Sequence, residues 1–119
     1  MSSRAVGQAG EDLAARHLEG LGWKILARNW KGSAGELDIV AFDGPTLAFV
    51  EVKLRASRAY GLPEEAVSRT KQGRIARAAL EFMSRQRLSG RAARFDVAAV
   101  ESGAVRLIRA AFEAPGWTR

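Results

Sequence analysis

GELDIVAFDGPTLAFVEVK, residues 35–53, contains two apolar runs on either side of a DGP turn. Apolar runs separated by a Gly-Pro turn predict a β-hairpin over residues 36–54. Strands this apolar are expected to be buried, yet Asp38, Glu51 and Lys53 interrupt them. A charge in such surroundings is costly unless it is paired or bound to a metal, so these three residues need an explanation.

The register of the hairpin decides where the charges lie. We centre the turn on Gly44-Pro45, which places Asp38 directly opposite Glu51. The same register places Glu36 opposite Lys53. Directly opposed residues in an antiparallel pair have Cβ atoms roughly 4.5–5.5 Å apart and point to the same face. Two carboxylates are therefore expected to converge, with a lysine one pleat further along.

Two carboxylates face to face repel each other unless a proton or a cation neutralises them. Mg²⁺ favours one or two carboxylates together with waters and substrate phosphate oxygens, and a nearby lysine can orient or deprotonate an attacking water. The pattern thus suits metal-dependent phosphodiester hydrolysis with Mg²⁺ or Mn²⁺. The spacing alone leaves a second interpretation open, in which the charges form a solvated cross-strand ladder. Phe42 and Phe49 lie on the same face, however, and such large apolar neighbours indicate that this face is shielded from solvent.

The remaining patterns predict one α/β domain over residues 1–119, with a mixed sheet of about five strands flanked by helices in the order αβββαββ. Helices are expected at roughly 7–21 and 63–87, the second opening with Pro63-Glu64-Glu65. The other strands are expected at roughly 23–29, 94–100 and 105–109.

Each predicted helix has an apolar stripe that should face the sheet. In the first helix the stripe consists of Ala14, Leu18 and Leu21. In the second helix it consists of Ile75, Ala79 and Phe82.

The composition limits the function. Nineteen Lys and Arg against thirteen Asp and Glu give a net charge of +6, which attracts nucleic acid first and anionic membrane second. The absence of cysteine excludes disulfides, cysteine nucleophiles and cysteine zinc sites. No apolar stretch is long enough for a signal-peptide core or a membrane span, so we expect a cytoplasmic protein without a membrane partner.

Seven stretches, in order along nearly the whole chain, carry a resemblance to a known family. They are GEDLAARHL (10–18), WKILARN (23–29), GELDIVAFD (35–43), LAFVEVKLR (47–55), EEAV (64–67), TKQGR (70–74) and RFDVAAV (94–100). Together they resemble the YraN family of bacterial predicted endonucleases, small relatives of Holliday-junction resolvases within the PD-(D/E)xK superfamily. The resemblance implies a restriction-endonuclease-like core.

The resemblance also implies roles for individual residues. Asp38 matches the metal-binding aspartate, Glu51 the acidic residue before the lysine, and Lys53 the lysine itself. Leu37 stands where the motif has proline, which weakens the bare motif. A glutamate near the start of the first helix joins the metal site in such nucleases, and some relatives use a glutamine from the following helix. Here these are Glu11, on a helix face opposite the apolar stripe or at its edge, and Gln72, whose alternative role is to cap the helix end.

Basic and aromatic residues around the predicted site are candidates for nucleic-acid contacts. They precede the hairpin, follow its second strand, or lie at the start of the second helix: Arg28, Trp30, Lys31, Arg55, Arg58, Arg69, Lys71 and Arg74. Trp30 has a structural alternative as a core or lid residue, and the helix cations as a solvated face.

Residues and resemblance together predict a nuclease that acts on DNA, with branched molecules and recombination or repair intermediates among the implied substrates. Resolvase-like relatives dimerise to cut two strands, so a homodimer is also implied. Two alternatives stay open. One is a non-catalytic nucleic-acid-binding or adaptor module on the same fold, and the other is a protein-partner module with a solvated charge ladder.

Overall fold

The computed structural model describes residues 3–54 and 67–114 of the chain. The elements follow the predicted order αβββαββ: α1 (Ser3–Gly20), β1 (Lys24–Lys31), β2 (Glu36–Asp43), β3 (Thr46–Leu54), α2 (Arg69–Arg85), β4 (Ala93–Glu101) and β5 (Ala104–Phe112). The strands form one sheet in the order β1-β2-β3-β4-β5. Only the β3–β4 pair is parallel among these strands, so the predicted mixed five-stranded sheet is confirmed.

The hairpin of β2 and β3 forms the centre of the sheet in the predicted register. Its pairs run from Ile39–Val50 to Asp43–Thr46, which places the turn at Gly44-Pro45. Gly44 adopts a φ of 58°, a left-handed conformation that glycine reaches without a side-chain clash.

Both faces of this hairpin are covered, which explains why its strands read as continuous apolar runs. Val40, Leu47 and Phe49 belong to one core cluster together with the buried face of α2. Ile39, Ala41, Ala48 and Val50 pack in a second cluster with α1.

The apolar stripe of α1 differs from the prediction at one end. Ala14 and Leu18 are fully buried as expected, but Leu21 is 47% exposed. The helix ends at Gly20, and the Trp23 amide donates to the Leu18 carbonyl as the chain turns away. Leu21 therefore lies past the helix, and the buried Trp23 fills the core position instead.

The start of α2 also differs from the prediction. The helix was expected to begin near residue 63, but Val67 and Ser68 are not helical, and 63–66 lie outside the described residues. Ser68 is the N-cap: its backbone is extended and its side chain accepts a hydrogen bond from the Lys71 amide. The predicted stripe Ile75, Ala79 and Phe82 is buried, which confirms the orientation of the helix.

A buried ion pair joins the strands at the end of β2 that is distant from Asp38. Asp96 on β4 is fully buried and accepts hydrogen bonds from Arg94 and from the Ala110 amide. Arg94 also donates to Asp43, the last residue of β2. Since both carboxylate oxygens of Asp96 have partners within the fold, we interpret this cluster as structural.

Within the described residues, no helix is long and apolar enough to cross a membrane.

Candidate functional site

The candidate site lies where the pairing of β2 with β3 stops. The last β2–β3 pair is Ile39–Val50, although β2 begins at Glu36 and β3 continues to Leu54. Just beyond that pair, the Asp38 carboxylate accepts a hydrogen bond from the Val52 amide at 2.9 Å. A side-chain oxygen thus takes a backbone donor of β3, and this bond fixes the orientation of the carboxylate.

Glu51 lies beside Asp38 on β3 and is only 6% exposed. Burial raises its pKa from 4.5 to about 7, and the neighbouring Asp38 charge acts in the same direction. The Lys71 ammonium opposes this rise from 2.5 Å away. The structure therefore brings together the two acids that the hairpin register predicted.

Lys71 reaches Glu51 from the first turn of α2, a contact that the sequence did not predict. We predicted it as a residue that holds backbone phosphates, whereas its ammonium contacts Glu51. Burial alone would lower its pKa, but the contact with Glu51 and the charges of Asp38 and Glu36 raise the pKa above its ordinary value. The acids thus have a cation of the protein itself close to them.

Glu11 reaches the same region from α1. It is buried on the face of Ala14 and Leu18, because residues three and seven positions apart share one side of a helix. The prediction that it would lie opposite the stripe is wrong, and the alternative placement at its edge is closer. Burial raises its pKa; Arg28 counteracts this, and the Asp38 charge adds to it.

Arg28 and Asn29 of β1 hold the Glu11 carboxylate on a single oxygen. Arg28 donates to Oε1 from Nε at 3.2 Å and from Nη2 at 3.1 Å, and the Asn29 side chain donates to it at 2.8 Å. Asn29 has a φ of 53°, a conformation that asparagine tolerates better than most residues. Within the described residues, these bonds leave Oε2 of Glu11 without a hydrogen-bond partner.

A cleft of about 480 Å³ has both Glu11 and Asp38 in its lining. It is lined by residues of α1, β1, β2 and β3: Gly7, Gln8, Glu11, Asn29, Lys31, Glu36, Asp38, Val52 and Leu54. Most of its charged side chains are carboxylates, so the cleft attracts cations.

Lys53 and Glu36 do not form the expected cross-strand pair. Lys53 is half-buried on β3 and lies beside Ala99 of the parallel strand β4. Glu36 pairs with Lys31 on β1 instead, because the β2–β3 ladder ends before it reaches this position. The role of Lys53 as the lysine of the site stays a prediction.

Gln72 is buried as its place on the helix suggested. Its side-chain amide donates to the Val67 carbonyl at 2.9 Å, immediately before α2. This bond joins the first turn of α2 to the residue before its N-cap, but it satisfies none of the free helix amides, because the side chain donates to a carbonyl. The roles of Gln72 as a helix cap and as part of a metal site both stay predictions.

The predicted nucleic-acid contacts occupy different environments. Arg55 and Arg58 lie outside the described residues, while Lys31, Arg69 and Arg74 are exposed. The Arg28 guanidinium forms ion pairs with the carboxylates of Glu11 and Asp12.

Trp30 packs edge-on against Phe82 with ring centroids 5.4 Å apart, as its structural alternative proposed. The Arg85 guanidinium lies 5.9 Å from the Trp30 ring centroid. These contacts hold the half-buried indole against the fold, and its contact with nucleic acid stays a prediction.

The donor set fits a hard divalent cation. Mg²⁺ and Mn²⁺ prefer carboxylate oxygens, and one or two carboxylates suffice when water and phosphate oxygens complete the coordination. Asp38 and Glu51 supply such a pair. Within residues 3–54 and 67–114, no group of three or more His, Asp or Glu residues is assembled for metal binding, so the part of Glu11 in a metal site stays a prediction.

Fold and site define a mixed α/β domain with an acidic, lysine-containing cluster at the open end of its central hairpin. Residues 10–100 match the model of the Uncharacterised protein family UPF0102, and the chain belongs to this family.

Related proteins match the chain over most of its length. The UPF0102 protein STH1475 of Symbiobacterium thermophilum is 47% identical over 117 residues, covering 94% of this chain and 99% of its own length. A UPF0102 protein of Syntrophus aciditrophicus is 47% identical over 111 residues, covering 90% of this chain and 87% of its own. A third, from Trichlorobacter lovleyi, is 50% identical over 99 residues, covering 82% and 78%. These names state the family and no activity.

Proposed function

We propose that this protein is a nuclease that hydrolyses phosphodiester bonds of DNA with the help of Mg²⁺ or Mn²⁺. The observation that carries the proposal is the pair Asp38 and Glu51. One carboxylate is fixed by the Val52 amide, and the other is buried beside it. A protein has little reason to place a half-buried acid beside a buried one for stability, since their repulsion and desolvation are unfavourable.

Each of the surrounding residues has a role in this proposal. A divalent ion held by Asp38 and Glu51 would polarise the phosphodiester and lower the pKa of a bound water. Lys53 orients or deprotonates the attacking water, or stabilises the charge that develops on the phosphate. Glu11 assists from α1, where Arg28 and Asn29 keep one of its oxygens engaged.

The surface charge supports a polyanionic substrate. The chain carries a net charge of +6, and Lys31, Arg69 and Arg74 are exposed on the elements that border the site. Such residues bind backbone phosphates without regard to sequence. Together with the resemblance to resolvase-like nucleases, this favours branched DNA and repair or recombination intermediates as substrates. A homodimer in the cytoplasm is part of the same proposal.

The proposal is tested by incubating the purified protein with single-stranded, double-stranded and four-way DNA in Mg²⁺, in Mn²⁺ and in EDTA. Asp38→Ala and Lys53→Ala serve as inactive comparisons. We expect cleavage of at least one substrate that requires the divalent ion and both residues. Absence of cleavage of every substrate, or equal cleavage by the variants, would contradict it.

A second candidate is a non-catalytic nucleic-acid-binding or adaptor module. The observation that favours it is that Glu11 and Glu51 already have basic partners of the chain itself, Arg28 and Lys71. This candidate predicts DNA binding that weakens with salt, needs no divalent ion and survives Asp38→Ala. A gel-shift titration in EDTA, beside the cleavage assay, separates the two.

A further inference from the structure

Lys71 and a divalent ion would compete for the same atoms. The Lys71 ammonium contacts Glu51 Oε2, and its pKa responds to the charges of Asp38 and Glu36 as well. A metal bound by Asp38 and Glu51 would need the carboxylate that Lys71 now neutralises. Two cations on one buried oxygen repel each other strongly, because the low local dielectric strengthens their interaction.

The fold holds the backbone of Lys71 while leaving its side chain free to move. The N-cap Ser68 accepts a hydrogen bond from the Lys71 amide at 3.2 Å, so the first turn of α2 is fixed. The side chain is 46% exposed, and the ammonium of a lysine is carried on a flexible four-carbon stem. The ammonium can therefore leave Glu51 for solvent, or for an anion, without movement of the helix.

We propose that Lys71 is an internal cation that neutralises Glu51 in the metal-free protein and gives up this carboxylate to the incoming divalent ion. The released ammonium then binds a phosphate of the substrate next to the metal. This inference rests on the proposed function, and it couples metal binding to phosphate binding: Lys71 is free to bind a phosphate only after the metal has taken its place on Glu51.

The direct test is calorimetric titration of Mn²⁺ into the wild-type protein and into Lys71→Met, which keeps the length of the stem and removes the charge. We expect the variant to bind Mn²⁺ about tenfold more tightly, equivalent to about 1.4 kcal/mol. Arg77→Met is the matched control, since Arg77 is exposed on the same helix and has no assigned part in binding metal or DNA. The control should change the affinity less than about twofold, because exposed and distant charges are screened.

Measuring Mn²⁺ affinity at high salt distinguishes the loss of the Lys71–Glu51 contact from the general effect of removing one positive charge. At about 0.5 M NaCl the gain of Lys71→Met should persist, because buried and partly buried pairs are screened much less than exposed charges. Without metal the variant should unfold at a lower temperature, since Glu51 loses its partner. Saturating Mn²⁺ should then raise its Tm more than that of the wild type, as tighter binding stabilises the native state more.

The phosphate step has its own readout. With Ca²⁺ as a non-cleaving ion, Lys71→Met should reduce the dependence of DNA affinity on salt by roughly one phosphate contact, and in EDTA it should leave this dependence unchanged. If Lys71→Met reduces the salt dependence of DNA affinity equally in Ca²⁺ and in EDTA, the proposed release of the ammonium by the metal is wrong. Equal Mn²⁺ affinities of variant and wild type overturn the competition and leave the proposed nuclease intact. Absence of Mn²⁺ binding in both proteins overturns the proposed function, and this inference with it.

Discussion

The Asp38 carboxylate accepts a hydrogen bond from the Val52 amide at 2.9 Å, just past the last backbone pair of β2 and β3. The bond ties the acid of one strand to the backbone of the other, one residue after Glu51. The two carboxylates are therefore held together by the architecture of the hairpin itself, at the point where its ladder opens.

The substitution Asp38→Asn should separate metal chemistry from folding. The amide oxygen of the substituted side chain can still accept from the Val52 amide, so we expect a free energy of unfolding within about 1 kcal/mol of the wild type. The lost carboxylate should lower divalent-dependent cleavage at least about a hundredfold, equivalent to a few kcal/mol of transition-state stabilisation. Initial rates on labelled DNA in Mn²⁺ measure this.

The control for this experiment is Asp43→Asn at the other end of β2, outside the cleft. It should cleave at nearly the wild-type rate. Asp38→Asn with wild-type activity would remove Asp38 from the metal site.

Glu51 should make the stability of the metal-free protein depend on pH. Its pKa is raised from 4.5 to about 7 by burial, so the native state holds this proton more tightly than the unfolded state does. The contribution of the protonated Glu51 to the free energy of unfolding is fully present below pH 4.5 and is lost as the pH rises through about 7. Its total is about 3 kcal/mol. Urea unfolding of wild type and Glu51→Gln from pH 4.5 to 8 measures the difference, because the variant lacks this titration.

The same pKa predicts the pH dependence of metal binding. A divalent ion must displace the proton from Glu51, so Mn²⁺ affinity should increase up to about pH 7 and level off above it. Calorimetry in buffers of different ionisation enthalpy counts the released proton. An affinity that does not change between pH 5.5 and 8 would mean that Glu51 is not a ligand.

The buried pair of Asp96 and Arg94 should contribute to stability and not to cleavage. Asp96 is fully buried, so Asp96→Ala leaves the Arg94 guanidinium without its main partner and the Ala110 amide without an acceptor. We expect a loss of about 3–5 kcal/mol, the usual cost of breaking a buried pair. Asp12→Ala, which breaks an exposed pair with Arg28, should cost much less, because solvent screens such pairs. Denaturant unfolding compares the two, and equal losses would contradict the structural role of Asp96.

Much of the fold follows from the period of the apolar residues. Two apolar runs around Gly44-Pro45 determine the hairpin and its register, because a slip by one residue would move every side chain of one strand to the opposite face of the sheet. Helix ends are less well encoded. Leu21 continues the apolar period of α1 although the helix has already ended at Gly20. The sequence Pro63-Glu64-Glu65 has the composition of a helix start, but α2 begins after Ser68.

The sequence predicted the contacts of the site that follow from the strand register. It did not predict the contacts that long side chains make between different elements. Strand alternation brings Asp38 toward Glu51, whereas no local pattern shows that Lys71 of α2 contacts Glu51. Arg28 and Asn29 were missed as partners of Glu11 for the same reason, since contacts between α1 and β1 depend on tertiary packing. Asparagine is enriched at left-handed backbone positions, and Asn29 adopts one. The residue type alone does not predict this conformation, so the sequence did not identify Asn29 as a partner of Glu11.

Asn29 offers a way to separate its backbone role from its side-chain role. Asn29→Gly and Asn29→Ala both remove the hydrogen bond to Glu11, but only glycine adopts a φ of 53° without a Cβ clash. We therefore expect the alanine variant to be less stable than the glycine variant by about 1 kcal/mol in urea unfolding. If the amide orients Glu11 for a role in metal binding, cleavage in Mn²⁺ should decrease about tenfold to a hundredfold and to the same extent in both variants. A decrease that follows stability, larger in alanine than in glycine, would show that Asn29 acts on the fold alone and that Glu11 does not depend on it.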